Sequence, residues 1–268
     1  MRLPKQTSLH HVRRGHGRPL LLVHGLGGST RSWETIADAL AAERELVIVD
    51  LPGFGRTPPL NGAPTIAALT DALEGFLAEQ SLEGVDVVGS SMGARLALEL
   101  ARRRSVGAVV ALDPGGFWNA REVRVFEISV GLSIRLVKLL APLLPLLSAN
   151  PVTRTLLLAQ FSARPWALPA DVVLNELRSF AASPVILQTL RELAHGPLQE
   201  GLPKGSCSRP IVLGWGRRDR VTFSRQAKRA QQRFPDARLH WFEHSGHFPH
   251  WDEPAATARL ILDRTQLS

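Results

Sequence analysis

Tyrosine is missing from this 268-residue chain, and cysteine occurs once, at Cys207. A single cysteine excludes an intramolecular disulfide and any zinc site built on a cysteine pair. It fits a reducing compartment. Long apolar runs are missing too. The first one, Pro19 to Val23, is too short for the core of a signal peptide. The most apolar region, Ile128 to Leu147, carries Arg135, Lys138, Pro142 and Pro145, a set that a spanning helix tolerates badly. The expectation is a soluble, cytoplasmic protein without stable membrane insertion. Acidic side chains are in deficit, 24 against 32 Lys and Arg, for a net charge of +8. The densest basic groups are only Arg102-Arg103-Arg104 and Arg217-Arg218. They are too short for a nucleic-acid tail, so the charge reads as a solvated surface with no nucleic acid partner.

What is present is an alternation. Short apolar runs lie at Leu20–Val23, Leu46–Val49, Val85–Val88, Val106–Leu112 and Ile211–Leu213, with weaker strand patterns at Leu9–Arg14 and Arg238–Phe242. Glycine-rich turns follow several of them, then segments with helical spacing such as Ile66, Leu69, Leu73, Phe76 and Leu77. That order predicts an α/β fold, a parallel sheet with helices on both faces. In such sheets ligands bind at the carboxyl ends of the strands. The alternation stops between Phe117 and about Gly205, where helical segments are broken by Pro142, Pro145, Pro151, Pro165, Pro169 and Pro184. The chain therefore divides into a first core part, 1–116, a helical insertion, 117–206, and a second core part, 207–268.

Gly89-Ser90-Ser91-Met92-Gly93 fits G-x-S-x-G between a predicted strand and a predicted helix, the context this motif needs. A tight strand-to-helix turn exposes the middle residue, and the helix N-terminus can stabilise an oxyanion. On this register Ser91 is the candidate nucleophile and Ser90 its neighbour. A serine needs a base. Nine histidines compete, and His244, His247 and His250 cluster after the last predicted strand, at the catalytic edge. His247 follows Gly246 and is favoured, with His244 and His250 as alternatives. The acid that orients it is Asp219, at the end of Gly214-Trp215-Gly216-Arg217-Arg218-Asp219, or Asp113, which reads equally as a turn residue. Asp219 is preferred, and the chain order is then Ser91, Asp219, His247. His24-Gly25-Leu26-Gly27-Gly28 follows the first buried run. Its Leu26 N–H and the Met92 N–H are the candidate oxyanion donors.

With these pieces in place, the chain resembles the α/β-hydrolase superfamily over nearly its whole length. The matching stretches are LLLVHGLGGS, VIVDLPGFGRT, VVGSSMGARLALELA, VLGWGRRDRVT and HSGHFPHWDEP. The resemblance implies about eight strands, mostly parallel, with a helical cap inserted after the sixth. It implies no metal and no organic cofactor. It carries Ser91, Asp219 and His247 over as a triad, with Leu26 and Met92 as oxyanion donors. Epoxide hydrolases and haloalkane dehalogenases resemble a version with aspartate where this chain has Ser91. Epoxide hydrolases also use cap tyrosines, and there is no tyrosine here. A proline iminopeptidase would need acidic groups in the insertion, which offers few, among them Glu176.

The expected activity is hydrolysis of a carboxylic ester, or related acyl compound, whose apolar acyl or aromatic part is held by the insertion. Phe117, Trp118, Phe161 and Trp166, with Phe180, are the candidate lining residues. Phe126–Leu147 is expected to cover the site with its apolar face. Arg121, Arg124, Arg135 and Lys138 offer a further reading, a basic amphipathic surface touching anionic lipid, against which the helix-breaking prolines count. The alternatives are a C–C bond hydrolase of aromatic ring-fission products and, outside enzymes, a binding protein that kept the fold. Such a binding protein usually lacks a triad member, and none is missing.

Overall fold

Seven strands form one sheet in the order β1-β3-β2-β4-β5-β6-β7 in the computed structural model, which describes residues 8–207 and 209–265. The strands are β1 His11–Arg14, β2 Pro19–Val23, β3 Glu45–Val49, β4 Asp86–Ser90, β5 Val109–Leu112, β6 Ile211–Gly216 and β7 Arg238–Phe242. Only β1 runs antiparallel, paired with β3 from His11↔Val49 to Arg14↔Leu46. All other neighbours are parallel. The eight strands implied by resemblance are thus seven among the described residues. Among the described residues the long helical segment follows the fifth strand.

The apolar runs are continuous because both faces of the sheet are covered. Leu20 and Leu22 of β2 pack with helix α1 (Glu34–Ala41) and the terminal helix on one face. Leu21 and Val23 point the other way, toward α2 (Ile66–Glu79) and α3 (Met92–Arg102). The period-two alternation of a strand therefore sorts one apolar run into two cores.

Among the described residues, five α-helices lie between β5 and β6: α4 Ala120–Leu139, α5 Leu144–Ala149, α6 Pro151–Leu158, α7 Ala170–Ala182 and α8 Ile186–His195. Asn119 caps α4, accepting from the Arg121 and Glu122 N–H groups while Glu122 accepts from the Asn119 N–H. Helix α4 runs unbroken for 20 residues, because the prolines begin only at Pro142, beyond its end. The chain finishes with α9 Gln226–Arg233, α10 Pro249–Asp252 and α11 Pro254–Thr265. Among the described residues no single helix is long and apolar enough to cross a membrane.

Candidate functional site

Ser91 sits where β4 turns into α3, with φ 54° and ψ −114°. A non-glycine residue held there is strained, by roughly 1–3 kcal/mol. The turn survives because everything around it is fixed. The Ser91 N–H donates to Leu112 O of the neighbouring strand at 2.8 Å, and Ser91 O accepts the first helical bond, from Arg95 N–H, at 3.1 Å. Both motif glycines are demanded by close approach. A Cβ on Gly89 would collide with the Gly93 carbonyl, and one on Gly93 with the carbonyl oxygens of Val23 and His24. Gly93→Ala is accordingly expected to destabilise the fold by about 3 kcal/mol or more, since backbone and not a flexible side chain must yield. Denaturant unfolding measures it.

The structure brings the favoured residues together at the carboxyl ends of four strands. His247 Nε2 lies 2.8 Å from Ser91 Oγ, and His247 Nδ1 lies 2.9 Å from Asp219 Oδ2. Both His247 and Asp219 are buried. The Asp219 carboxylate is saturated. Oδ1 accepts from the Val221 and Thr222 N–H groups at 2.7 and 3.0 Å, and Oδ2 accepts from the Thr222 hydroxyl at 2.7 Å. Burial alone would raise its pKa, but the His247 charge and hydrogen bond, together with hydrogen bonds from Asp113 and Thr222, hold it below the ordinary carboxylate value. Thr222, which sequence reasoning missed, also approaches His247 Nδ1 at 3.4 Å. The signal was Asp219 followed at two and three residues by backbone donors, an Asx-turn spacing.

Asp113, the competing acid, is fully buried at the end of β5 with φ 48°. Its Oδ1 accepts from the Gly216 N–H at 2.8 Å and its Oδ2 has no hydrogen bond. Burial first, then the adjacent Asp219 charge, push its carboxyl well above the usual range. Asp113, Asp219 and His247 each offer a polar atom within 4.8 Å of the others. Asp219 is fully engaged with backbone donors and the imidazole, which suits orienting a ring better than chelating an ion.

The other two histidines stand elsewhere. His244 is exposed, and its N–H donates to Glu253 Oε2. His250 stacks against Trp33, and burial lowers its pKa to about 3, so it stays neutral. The His247 loop is held from two sides. Its N–H donates to Phe161 O at 2.8 Å, and Asp252 accepts from Gly246 N–H at 2.7 Å, Ala163 N–H at 2.9 Å and the Ser162 hydroxyl at 2.5 Å. Asp252 therefore ties the helical segment to the loop bearing His247.

The loop after β2 reaches Ser91 from the opposite side. A Cβ on Gly25 would lie 3.1 Å from Ser91 Cβ and 3.7 Å from Oγ. Buried His24 fixes this loop through Nδ1 to Gly25 O at 2.7 Å, while its Nε2 accepts from the Leu51 N–H at 3.0 Å. Burial lowers its pKa, so it is neutral and its tautomer is set by these two bonds. Neither the Leu26 nor the Met92 N–H has an acceptor among the loop hydrogen bonds.

The candidate lining residues divide. Phe161 packs with Phe180 and Phe248, and Phe248 with His247, at ring separations of 4.8–6.2 Å. A Cβ on Gly27 would strike Phe180, so this aromatic cluster touches the loop carrying Leu26. Phe117 instead packs edge-on against Phe234, and Trp118 stacks on Phe126. Both are core residues. Trp166 is 54% exposed. Aromatic identity alone could not give these directions.

A cavity of about 20 Å³ lies behind the same loop, bounded by Gly25, Leu26, Ser90, Glu176, His250 and Trp251, among others. Sequence reading gave Glu176 no role here. Its Oε1 is sealed without a hydrogen bond, and burial, reinforced by Glu34 and only partly offset by a hydrogen bond from Ser32, raises the carboxyl from 4.5 to about 7. Between those values the folded chain keeps a proton that the unfolded chain releases, so stability falls as pH rises through this window. Glu176→Gln is expected to be more stable than wild type by about 2 kcal/mol at pH 8, the gap closing below pH 4.5. Unfolding at the two pH values checks it.

Comparison with known proteins adds to this geometry. The model of the "Alpha/beta hydrolase family" matches residues 20–260. A 2-hydroxy-6-oxononadienedioate/2-hydroxy-6-oxononatrienedioate hydrolase from Cupriavidus pinatubonensis is 27% identical over 255 residues, 91% of this chain and 85% of that one. An esterase from Exiguobacterium antarcticum superposes with a TM-score of 0.78 at 19% identity, covering 97% of this chain and 96% of that one. An enol-lactonase from Burkholderia xenovorans gives 0.75 at 17% identity, over 98% of each.

Proposed function

This chain belongs to the alpha/beta hydrolase family and is a hydrolase, and on that premise we propose that it cleaves carboxylic esters, or related acyl compounds, carrying an apolar group. The observation that carries this reading is the line Ser91 Oγ, His247 Nε2, His247 Nδ1, Asp219 Oδ2, with spacings of 2.8 and 2.9 Å at its two hydrogen bonds. His247 takes the hydroxyl proton as Ser91 Oγ attacks the carbonyl carbon. Leu26 and Met92 N–H groups receive the oxyanion. Asp219 stabilises the imidazolium and does not itself take the proton. The C–O bond breaks, and the imidazolium gives its proton to the leaving alkoxide. Water, deprotonated by His247, then cleaves the acyl-serine and regenerates the enzyme.

In this reading residues 117–206 form a cap over the site, and Phe161, Phe180 and Phe248 contact the apolar group. The lone cysteine supports a cytoplasmic, reducing location. A panel of p-nitrophenyl and lactone substrates of graded chain length tests the proposal. Turnover that rises with acyl length is expected, and no turnover of any member would overturn it.

A second reading is favoured by the named activity of the Cupriavidus pinatubonensis relative. The same site would then hydrolyse a C–C bond next to a carbonyl. Loss of the absorbance of a ring-fission product, with no ester turnover, would establish that reading instead.

A further inference from the structure

Helix α4 has two apolar faces. Phe126, Val130, Ile134 and Val137 are buried inward. Val125, Ile128, Leu132, Leu136 and Leu139 are 47–77% exposed. At 3.6 residues per turn these five fall within an arc of roughly 80° on the outward side. The stripe continues through Leu143 and Leu146, 51% and 71% exposed. Helix α6 extends it sideways. The Gln160 side chain, just past its end, bonds Ser129 and Ser133 of α4 at 2.7 and 3.0 Å, and Leu156, one turn earlier, is 75% exposed. An apolar surface this continuous is uncommon on a protein that meets only water.

Its charge is one-sided. No acidic residue occurs between Glu127 and Asp171. Arg121, Arg124, Arg135, Lys138 and Arg164 are all exposed in or beside this region. The guanidinium groups of Arg121, Arg124 and Arg135 make no ion pair or hydrogen bond among the described residues. Glu127 faces His195 instead, at 2.9 Å.

We propose that the outer face of α4–α6 docks the protein onto the surface of an anionic lipid bilayer, the leucine and isoleucine stripe entering the headgroup boundary and the arginines meeting lipid phosphates. An amphipathic helix lying in the interface plane has this pattern. The sequence-based objection was that prolines interrupt the helix. They fall after Leu139, and α4 presents its stripe whole. A second copy of the chain is a poorer occupant, because both sides of a two-fold contact would carry the same basic groups, with no acidic residue between Glu127 and Asp171 to meet them. The residues directly after α6 are tied to the His247 loop through Phe161 O and Asp252, so the docking surface is joined to the site by a few residues of chain. Delivery of membrane-dissolved esters to Ser91 rests on the ester-hydrolase reading, whereas docking itself does not.

Flotation of the full-length protein with vesicles tests this. Binding to phosphatidylcholine vesicles containing phosphatidylglycerol is expected to exceed binding to phosphatidylcholine alone by about tenfold, and to weaken with salt. The double variant Ile128→Glu, Leu132→Glu should lose about tenfold or more of that binding while hydrolysing p-nitrophenyl acetate as the wild type does. Ser91→Ala should float unchanged. Flotation by wild type and Ser91→Ala without turnover of any ester would leave docking standing and remove the ester reading. Equal flotation of the double variant, no flotation of the wild type, or a wild-type dimer that the double variant dissociates without any vesicle binding, would each overturn the proposal.

Discussion

Ser91→Ala is expected to lower ester turnover by about 10⁴-fold or more, leaving only what positioning and the oxyanion donors supply. The size follows from the geometry. A serine hydroxyl is a weak nucleophile, and here His247 Nε2 stands 2.8 Å away to receive its proton. Removing Oγ leaves the base with nothing to activate but water. The loss should fall on kcat, and a fluorophosphonate should label wild type and not the variant. Ser91→Gly separates catalysis from folding. It removes the same oxygen and also relieves the strain of φ 54°. Its unfolding free energy is expected to exceed that of wild type by about 1 kcal/mol, after allowing for the flexibility glycine adds to the unfolded chain. Wild-type turnover in either variant would remove Ser91 from the mechanism.

Asp219→Asn is expected to cost about 10⁴-fold in kcat, and Asp113→Asn less than about tenfold. Asp219 is the carboxylate that accepts His247 Nδ1, and its His247 contacts hold its pKa down despite burial. An amide there would offer either no charge or the wrong tautomer. The Asp113 Oδ1 is taken by the Gly216 N–H and not by His247, and burial and the neighbouring Asp219 raise its pKa, so an asparagine there disturbs the imidazole less. Kinetics of the two variants decide between the acids. Equal losses would mean that the carboxyls act as one coupled pair.

Much of this site was legible in the sequence. Gly89 and Gly93 had to be glycine for a crossing of strand and helix, and that need is local, so it is written locally. The buried strands were legible because continuous apolar runs bounded by glycine have few other uses. His247 could be favoured over His244 and His250 because it follows a glycine at the expected edge. What it faces is a long-range fact: 156 positions separate it from Ser91.

Other features were not legible. The strand count of eight and the insertion after the sixth strand came from resemblance, whereas the strands among the described residues number seven, five of them before the helical segment. Phe117 and Trp118 looked like lining residues and are core, since residue type carries no direction. Helix α4 is the plainest case. Its apolar residues occupy two opposite arcs, so its pattern could not say which arc turns inward. Packing against α7 and α8 chose Phe126, Val130, Ile134 and Val137, and left Ile128 and Leu132 outside.

By itself the sequence determined the α/β alternation, the strained turn at Ser91 and the chemical types of base and acid, because each depends on neighbours a few residues away. Only the tertiary structure shows that Asp219 and not Asp113 faces His247 Nδ1, that Glu176 Oε1 is sealed off, and which face of α4 turns outward. Those depend on which groups share a dry interior, and that is set by contacts between segments far apart in the chain.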